Sequence, residues 1–235
     1  MTAVTAAPPM DIERARFNMV EQQIRTWEVL DQSVLDLLLV VKREAFVPPA
    51  YRTLAFTDME IPLKVPTDGG THDSGQTMFA PKVEARFLQE LGVKPHDMVL
   101  EVGTGSGHMA ALLAHKAQHV TTVEIDATLK AFGEANLARA GVRNVRVEQG
   151  DGAQGWNARA PYDVIMVSGA LPVVPDKLLA QLKIGGRLGV IVGEAPVMTA
   201  QIITRVSDSG YDTLKLFETL AKPLTNALQP SRFKF

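Results

Sequence analysis

Cysteine is absent from this chain of 235 residues. That absence excludes disulfide bonds, thiolate metal sites and a cysteine nucleophile together, and it fits a reducing compartment. An excess of charge of either sign is also lacking, because 24 basic and 26 acidic residues leave a net charge of −2. A chain this close to neutrality gives no general electrostatic reason to expect nucleic acid or an anionic membrane as its partner.

Long apolar runs are missing too, and none approaches the length needed to cross a bilayer. Residues 1–10 lack the basic and apolar regions of a signal peptide, so we expect a disordered tail and a cytoplasmic protein. The chain does have 46% hydrophobic residues, which is enough for one large α/β core. The sequence therefore predicts a single domain over residues 11–235, with a helical front over 11–92 and a sheet over 93–235.

The front of the chain has helical periodicity, interrupted by a stretch that resembles a loop. Apolar residues recur at helical spacing over residues 12–26. A second helix is predicted to begin at the N-cap Asp31 and to run through residue 41. A third is predicted over residues 81–91, with a proline in its first turn and Gly92 at its end. Residues 51–75 are rich in proline, glycine and aspartate, and are predicted to form a loop.

The back of the chain alternates between strand-like and helical segments. Five apolar β-type runs occur at residues 98–102, 120–125, 145–148, 163–167 and 187–192. Two further runs, at 201–206 and 213–217, are joined through a turn and read as a hairpin. This order predicts an α/β fold with a doubly wound, mainly parallel seven-stranded sheet that closes with an antiparallel pair.

The most informative motif is a strand that turns through Gly103, Gly105 and Gly107 into a helix. Such a turn lets a ligand approach bare backbone, and it directs N–H groups at the ligand. A dinucleotide fingerprint would need its third glycine at position 108, which is His108. The spacing, with Glu101 in front, instead resembles motif I of the S-adenosylmethionine-dependent methyltransferases. The alternative is a glycine-rich turn that binds nothing.

Two acidic residues follow the next two predicted strands, where the carboxyl ends of a parallel sheet gather ligand chemistry. Glu124 ends the second strand, about 20 residues beyond the first glycine, where an acid can accept hydrogen bonds from ribose hydroxyls. Asp151 follows the third strand and can accept a bond from an adenine amino group. A solvated strand end for Glu124 and a simple Asp-Gly turn for Asp151 are the alternatives.

Further phrases along the chain point to one family. They are Met19-Val-Glu-Gln-Gln-Ile24, Arg43-Glu-Ala-Phe-Val-Pro48, Ala55-Phe-Thr-Asp58, Gly75-Gln-Thr77, Ala80-Pro81, the glycine run, Gly150-Asp-Gly152 and Ala160-Pro-Tyr-Asp163. Together they closely resemble the protein-L-isoaspartate O-methyltransferases, over residues 12 to about 225. Those enzymes methylate the abnormal carboxylate of isoaspartyl residues in damaged proteins, which starts repair.

The resemblance implies the methyltransferase fold, S-adenosylmethionine as cofactor, no metal, and a protein or peptide carboxylate as the acceptor. It implies that the front of the chain covers the substrate side of the sheet, and it carries catalytic positions onto Thr77 and Phe79. The cofactor-binding positions that it implies are Gln76, Thr77, Glu101, Gly103, Thr104, Gly105, Ser106, Gly107, Glu124, Ile125, Asp151, Gly152 and Thr225.

Three positions depart from the family. Phe79 stands where the family has a serine whose hydroxyl lies beside the methyl donor and the substrate carboxylate. Glu84 stands where histidine is frequent, and we expect it to add negative charge near an anionic substrate. Lys222 stands where the family has valine, in the tail segment Lys222-Pro-Leu-Thr225. Ser168, after the fourth strand, is predicted either to donate to an acceptor group or to cap its loop.

Three hypotheses for function follow from the sequence. The first is an isoaspartyl repair methyltransferase that tolerates Phe79, and the second is a methyltransferase of the same fold that acts on another acceptor. The third is a non-catalytic module that binds the cofactor or a partner. His108, His115 and His119 include a pair four residues apart, but no glutamate completes a zinc motif, so a surface or helix-end position is favoured for them.

Overall fold

The computed structural model describes residues 11–230 and contains the predicted seven-stranded sheet. The strands are β1 (Ile61–Thr67), β2 (Gly70–Met78), β3 (Met98–Val102), β4 (His119–Glu124), β5 (Val145–Gln149), β6 (Tyr162–Leu171), β7 (Leu182–Glu194), β8 (Val197–Arg205) and β9 (Tyr211–Glu218). The main sheet has the order β5-β4-β3-β6-β7-β8-β9. Its first five strands are parallel, and β8 and β9 are antiparallel, as the sequence predicts.

The α-helices lie where the apolar periodicity and the capping residues of the sequence predict helices. They are α1 (Ile12–Asn18), α2 (Gln32–Val40), α3 (Pro81–Leu91), α4 (His108–Lys116), α5 (Ala127–Arg139) and α6 (Asp176–Leu179). The first predicted helix continues beyond α1 as a π-helical turn and then a short 3-10 turn that ends at Trp27. The carboxylate of Asp31 caps α2 by accepting from the Ser33 N–H, and Gly92 ends α3 with a φ of 51°.

The prediction of a loop over residues 51–75 is wrong, because β1 and β2 form an antiparallel hairpin there. Ile61, Leu63 and Val65 alternate with more exposed residues and are buried, which is the period of a half-buried strand. The prolines at positions 62 and 66 hid this pattern, because proline removes a backbone donor. In the described part of the chain β1 pairs with β2 alone, and proline is compatible with such an edge.

Apolar side chains on the two faces of the sheet form two buried clusters. Val99 belongs to the cluster that contains residues of α2, α3 and α4, whereas the next residue, Leu100, belongs to the cluster that contains Leu178 of α6. This alternation follows from the two-residue period of a strand. The helical front therefore packs on the same face as α3 and α4. The predicted tail over residues 1–10 lies outside the described residues.

Chain order places the main cavity. From β3 the chain moves outward through β4 to β5, and then returns to the other side of β3 with β6. The helices that follow β3 and β6 therefore diverge, and a crevice opens at the carboxyl ends of these two strands. None of the helices over residues 11–230 is both long and apolar enough to span a bilayer.

Candidate functional site

The glycine turn after β3 packs so tightly against its neighbours that it has no room for side chains at Gly105 and Gly107. Gly105 has a φ of +50°, and a Cβ built on it would lie 3.0 Å from the side chain of Leu63. Gly107 has a φ of +83°, and its Cβ would lie 2.9 Å from the carbonyl oxygen of Gly133 on α5. Glycine alone adopts these conformations without strain, so the turn presents bare backbone at the start of α4.

Glu124 at the end of β4 is fixed by backbone donors. One carboxylate oxygen accepts from the N–H of Gly105 at 2.8 Å, and the other accepts from the N–H of Asp126 at 3.1 Å. The side chain is buried, and burial raises its pKa above the ordinary value, while the Gly105 N–H opposes that shift. The predicted strand-end acid is therefore oriented toward the glycine turn and is not merely solvated.

Glu101 in β3 is fully buried and is held by hydroxyl groups. Its two carboxylate oxygens accept from the Thr122 hydroxyl at 2.7 Å and the Ser168 hydroxyl at 2.8 Å. Thr122 also contacts the hydroxyl of Thr104 at 2.7 Å. Burial raises the pKa of Glu101 to about 8, so this carboxyl is mainly protonated at neutral pH. Ser168 thus donates to Glu101. The sequence predicted either a bond to the methyl acceptor or a cap on the loop, and not this partner.

Asp151 after β5 forms the expected turn and also contacts the C-terminal segment. One carboxylate oxygen accepts from the N–H of Ala153 at 2.9 Å, which is the expected local turn. The other accepts from the side-chain amide of Asn226 at 3.0 Å, so it also holds the C-terminal segment. The residue is exposed and lines the same cavity as the glycine turn. Its position is compatible with a hydrogen bond to a ligand at that rim.

The opposite wall comes from the hairpin and the residues that follow it. The hydroxyl of Thr77 donates to the carboxylate of Glu60 at 3.0 Å. Phe79 is 7% exposed, and its ring stacks on that of Phe87 with centroids 6.5 Å apart. The carbonyl oxygen of Phe79 accepts from the guanidinium of Arg43 at 2.7 Å. The backbone at Phe79 is therefore held by a residue of the helical front.

These elements line one shared cavity. It has two sides, which we name the glycine side (residues 103–107, Glu124 and Asp151) and the hairpin side (Thr77 and Phe79, with Glu60 behind them). Of the predicted site residues, these line the cavity: Gln76, Thr77, Phe79, Glu101, Gly103, Thr104, Gly105, Ser106, Glu124, Ile125, Asp151, Gly152 and Thr225. Gly107 does not line it and shapes the turn instead.

The expectation that Glu84 adds charge near the acceptor is wrong. Glu84 is 3% exposed, does not line the cavity, and forms an ion pair with Arg43 and a 2.9 Å contact with Nδ1 of His108. Burial alone would raise the pKa of Glu84, but the charges of His108 and Arg43 lower it below its ordinary value. Its charge is thus balanced inside the protein, as buried charges require.

Fewer residues of the front of the chain line the cavity than the sequence predicted. No residue of 11–60 lines the cavity, and the contribution of the described front begins with Leu63. His72 of β2 reaches across the rim and contacts the carboxylate of Asp126 at 2.6 Å. This contact was not predicted, because the hairpin itself was missed. Among residues 11–230, no group of three or more His, Cys, Asp or Glu side chains is arranged to hold a metal ion.

Known proteins share both the sequence and the fold. A protein-L-isoaspartate O-methyltransferase of Rhodopseudomonas palustris is 40% identical over 210 residues, which is 89% of this chain and 92% of that protein. A solved protein-L-isoaspartate O-methyltransferase is 25% identical and superposes with a TM-score of 0.74, covering 93% of this chain and 67% of that one. A Plasmodium falciparum structure in complex with S-adenosyl-L-homocysteine, 19% identical, shares the fold with the same TM-score over 89% of this chain and 98% of that one.

The family model for protein-L-isoaspartate(D-aspartate) O-methyltransferase matches residues 14–227, which include both sides of the cavity. The likeness therefore covers the helical front, the hairpin and the sheet together, and not only the glycine turn that many methyltransferases share. The chain belongs to the protein-L-isoaspartate(D-aspartate) O-methyltransferase family, a family of S-adenosylmethionine-dependent methyltransferases.

Proposed function

We propose that this protein transfers a methyl group from S-adenosylmethionine to the free carboxylate of isoaspartyl residues in proteins or peptides. The observation that carries the proposal is the single cavity in which the glycine side and the hairpin side meet. Relatives named for this activity align over both sides. A methyl donor bound on one side would therefore face an acceptor that enters along the other.

The residues on the glycine side fit the cofactor. The turn presents the bare backbone of Gly103 and Gly105 to the cavity. Glu124 keeps acceptor capacity for two ribose hydroxyls, because each of its oxygens has more than one lone pair. Asp151 would accept from the adenine amino group, and Gly152 would lie against the ring. Glu101 would face the amino group of the methionine part.

S-adenosylmethionine, when bound, supplies an electrophilic methyl group on a sulfonium centre. A carboxylate is already a competent nucleophile, so the chain needs no acid–base pair to activate it. Its residues instead orient the acceptor and exclude water, which can contribute as much as about 7–11 kcal/mol for well-aligned reactants. Leu63, Met78 and Phe79 give the wall of the hairpin side an apolar surface suited to that task.

The test is a transfer assay with labelled S-adenosylmethionine, an isoaspartyl peptide, and the matched peptide with a normal aspartyl residue. We expect label on the isoaspartyl peptide alone. Glu124→Ala should lower transfer by weakening cofactor binding, and Glu134→Ala, which removes an exposed acid on α5, should leave transfer unchanged. Label on both peptides, or on neither, would contradict the proposed acceptor.

A second candidate is favoured by Phe79 itself. This ring lines the cavity and cannot donate a hydrogen bond, and the nearby Thr77 hydroxyl is already donated to Glu60. Both features favour an acceptor that is less polar than a peptide carboxylate. Binding of S-adenosylmethionine without transfer to the isoaspartyl peptide would support this second acceptor class and would leave the methyltransferase assignment intact.

A further inference from the structure

The C-terminal segment after β9 is pinned to the rim of the cavity by its backbone. The carbonyl oxygen of Lys222 accepts from the N–H of Ala170 at 2.9 Å, and the N–H of Leu224 donates to the carbonyl oxygen of Ala170 at 2.9 Å. These two bonds form one parallel bridge between Ala170 of β6 and Pro223. Leu224 and Thr225 then line the cavity. The backbone of Lys222 is therefore held next to β6.

No ion pair with a described residue neutralises the positive charge of Lys222, whereas two other lysines beside the hairpin side are paired. Lys64 forms an ion pair with Asp73 at 2.7 Å, and Lys82 forms one with Asp58 at 2.7 Å. Lys222 is exposed and has no ion-pair partner within 4.0 Å among residues 11–230. An uncommitted cation at a cavity rim attracts an anionic ligand.

The positive charge of Lys222 interacts with Glu60, which lies behind the hairpin side. Burial of Glu60 raises the pKa of its carboxyl, and the Thr77 hydroxyl and the positive charge of Lys222 both oppose that shift. Glu60 lies directly behind Thr77, which lines the cavity. The ammonium group of Lys222 is thus close enough to influence the group that holds the Thr77 hydroxyl.

We propose that Lys222 is a specificity-determining residue that attracts the free carboxylate of the acceptor peptide. The proposal rests on the proposed isoaspartyl function. The chain has a phenyl ring at position 79 and a cation at position 222. Without this cation, a carboxylate on the hairpin side would meet a phenyl ring with Glu60 behind Thr77, and would gain no electrostatic compensation for lost water.

This role predicts an effect on acceptor binding rather than on the chemical step. An exposed lysine attracts the acceptor in the ground state and in the transition state alike, so its loss should raise KM and leave kcat nearly unchanged. From the strength of exposed ion pairs, we expect KM to rise as much as about fivefold in Lys222→Val at low salt. Lys222→Arg should retain the wild-type KM, and added salt should shrink the difference.

The experiment has two arms that use the full-length chain. The first arm measures kcat and KM for an isoaspartyl peptide with the wild type, Lys222→Val, Lys222→Arg and the control Lys215→Val, which removes an exposed lysine from β9. The second arm measures binding of the same peptide, and of its analogue with the free carboxylate amidated, to protein saturated with S-adenosyl-L-homocysteine. Lys222 is exposed, so Lys222→Val is expected to fold.

Weaker binding of the carboxylate peptide by Lys222→Val, with amide binding and kcat unchanged, supports the proposal. Equal KM and equal binding in the wild type and Lys222→Val overturn it and leave the isoaspartyl function standing. A wild type that neither methylates nor binds the isoaspartyl peptide, while it still binds S-adenosylmethionine, overturns the proposed acceptor and the role of Lys222 with it. A loss of S-adenosylmethionine affinity in Lys222→Val also overturns the proposal, because the effect would then lie on the glycine side.

Discussion

The two sides of the cavity are built by different means. The glycine side depends on main-chain conformation, with three glycines at positive φ and a carboxylate held by backbone N–H groups. The hairpin side depends on side chains: the Thr77 hydroxyl, the Phe79 ring and the charges of Glu60 and Lys222. The departures expected from the sequence, at Phe79 and Lys222, both concern the hairpin side. Recognition by side chains can change one substitution at a time, whereas a backbone cradle cannot.

The largest expected effect concerns the buried carboxyl between the two sides. Between pH 4.5 and about 8 the folded chain keeps a proton on Glu101 that the unfolded chain has released. The free energy of unfolding should therefore fall with rising pH in this window, by as much as about 1.4 kcal/mol per pH unit from this group. Glu101→Gln carries no ionisable group there. Urea unfolding at pH 5, 6, 7 and 8 should show the wild type losing stability relative to Glu101→Gln, and parallel curves would contradict the raised pKa.

The next prediction tests the glycine side. Glu124→Ala leaves the Gly105 N–H without its partner and removes the acceptor for the ribose, so S-adenosylmethionine binding should weaken by about 1–3 kcal/mol. Calorimetry measures the change, with Glu134→Ala as the control on the surface of α5. Unchanged affinity would mean that the carboxylate serves only to fix the turn.

The third prediction tests the hairpin side. Phe79→Ser restores both space and a hydroxyl donor, and should raise isoaspartyl methylation roughly 10- to 100-fold if the new bond forms fully in the transition state. Phe79→Ala separates the two contributions, because it supplies space alone. Both variants lose the contact with Phe87, so circular dichroism must show that they are folded at the assay temperature. Strong native activity that serine does not improve would show that Phe79 is only a packing residue.

The smallest effect, on the rate of ligand dissociation, is expected at the contact between the hairpin and the start of α5. His72 and Asp126 form a partly exposed pair at the rim, and such pairs contribute about 0.2–1 kcal/mol. Asp126→Asn keeps the oxygen that caps α5 but removes the charge that faces His72. We expect S-adenosyl-L-homocysteine to dissociate up to about fivefold faster from this variant, measured by stopped flow. A larger change would indicate that the hairpin as a whole had moved.

The sequence predicts elements whose signal is local. The N-cap Asp31, the proline and glycine that bound α3, and a mainly parallel sheet that closes with an antiparallel pair were all predicted correctly. The hairpin over residues 61–78 was missed because its prolines resemble loop residues, and their compatibility with a strand depends on pairing that the sequence does not display.

Contacts between residues that are far apart in the chain could not be predicted from local sequence patterns. Glu84 is neutralised by Arg43, 41 residues away, and the Ser168 hydroxyl reaches Glu101 across 67 residues. A charged residue in the first turn of a helix usually faces solvent, so its spacing gave no sign that Glu84 is buried. For Glu101, a threonine inside the apolar strand β4 was an available signal, since a buried hydroxyl needs a partner.

The hydroxyl groups around Glu101 allow this part of the site to change its charge while keeping its shape. A threonine or serine hydroxyl rotates about its C–O bond and serves as donor or acceptor in turn. Thr104, Thr122 and Ser168 can therefore redirect their hydrogens when Glu101 gains or loses a proton, with no movement of heavier atoms. A cationic ligand and its neutral demethylated product can then be held by the same backbone, each with the carboxyl in a different protonation state.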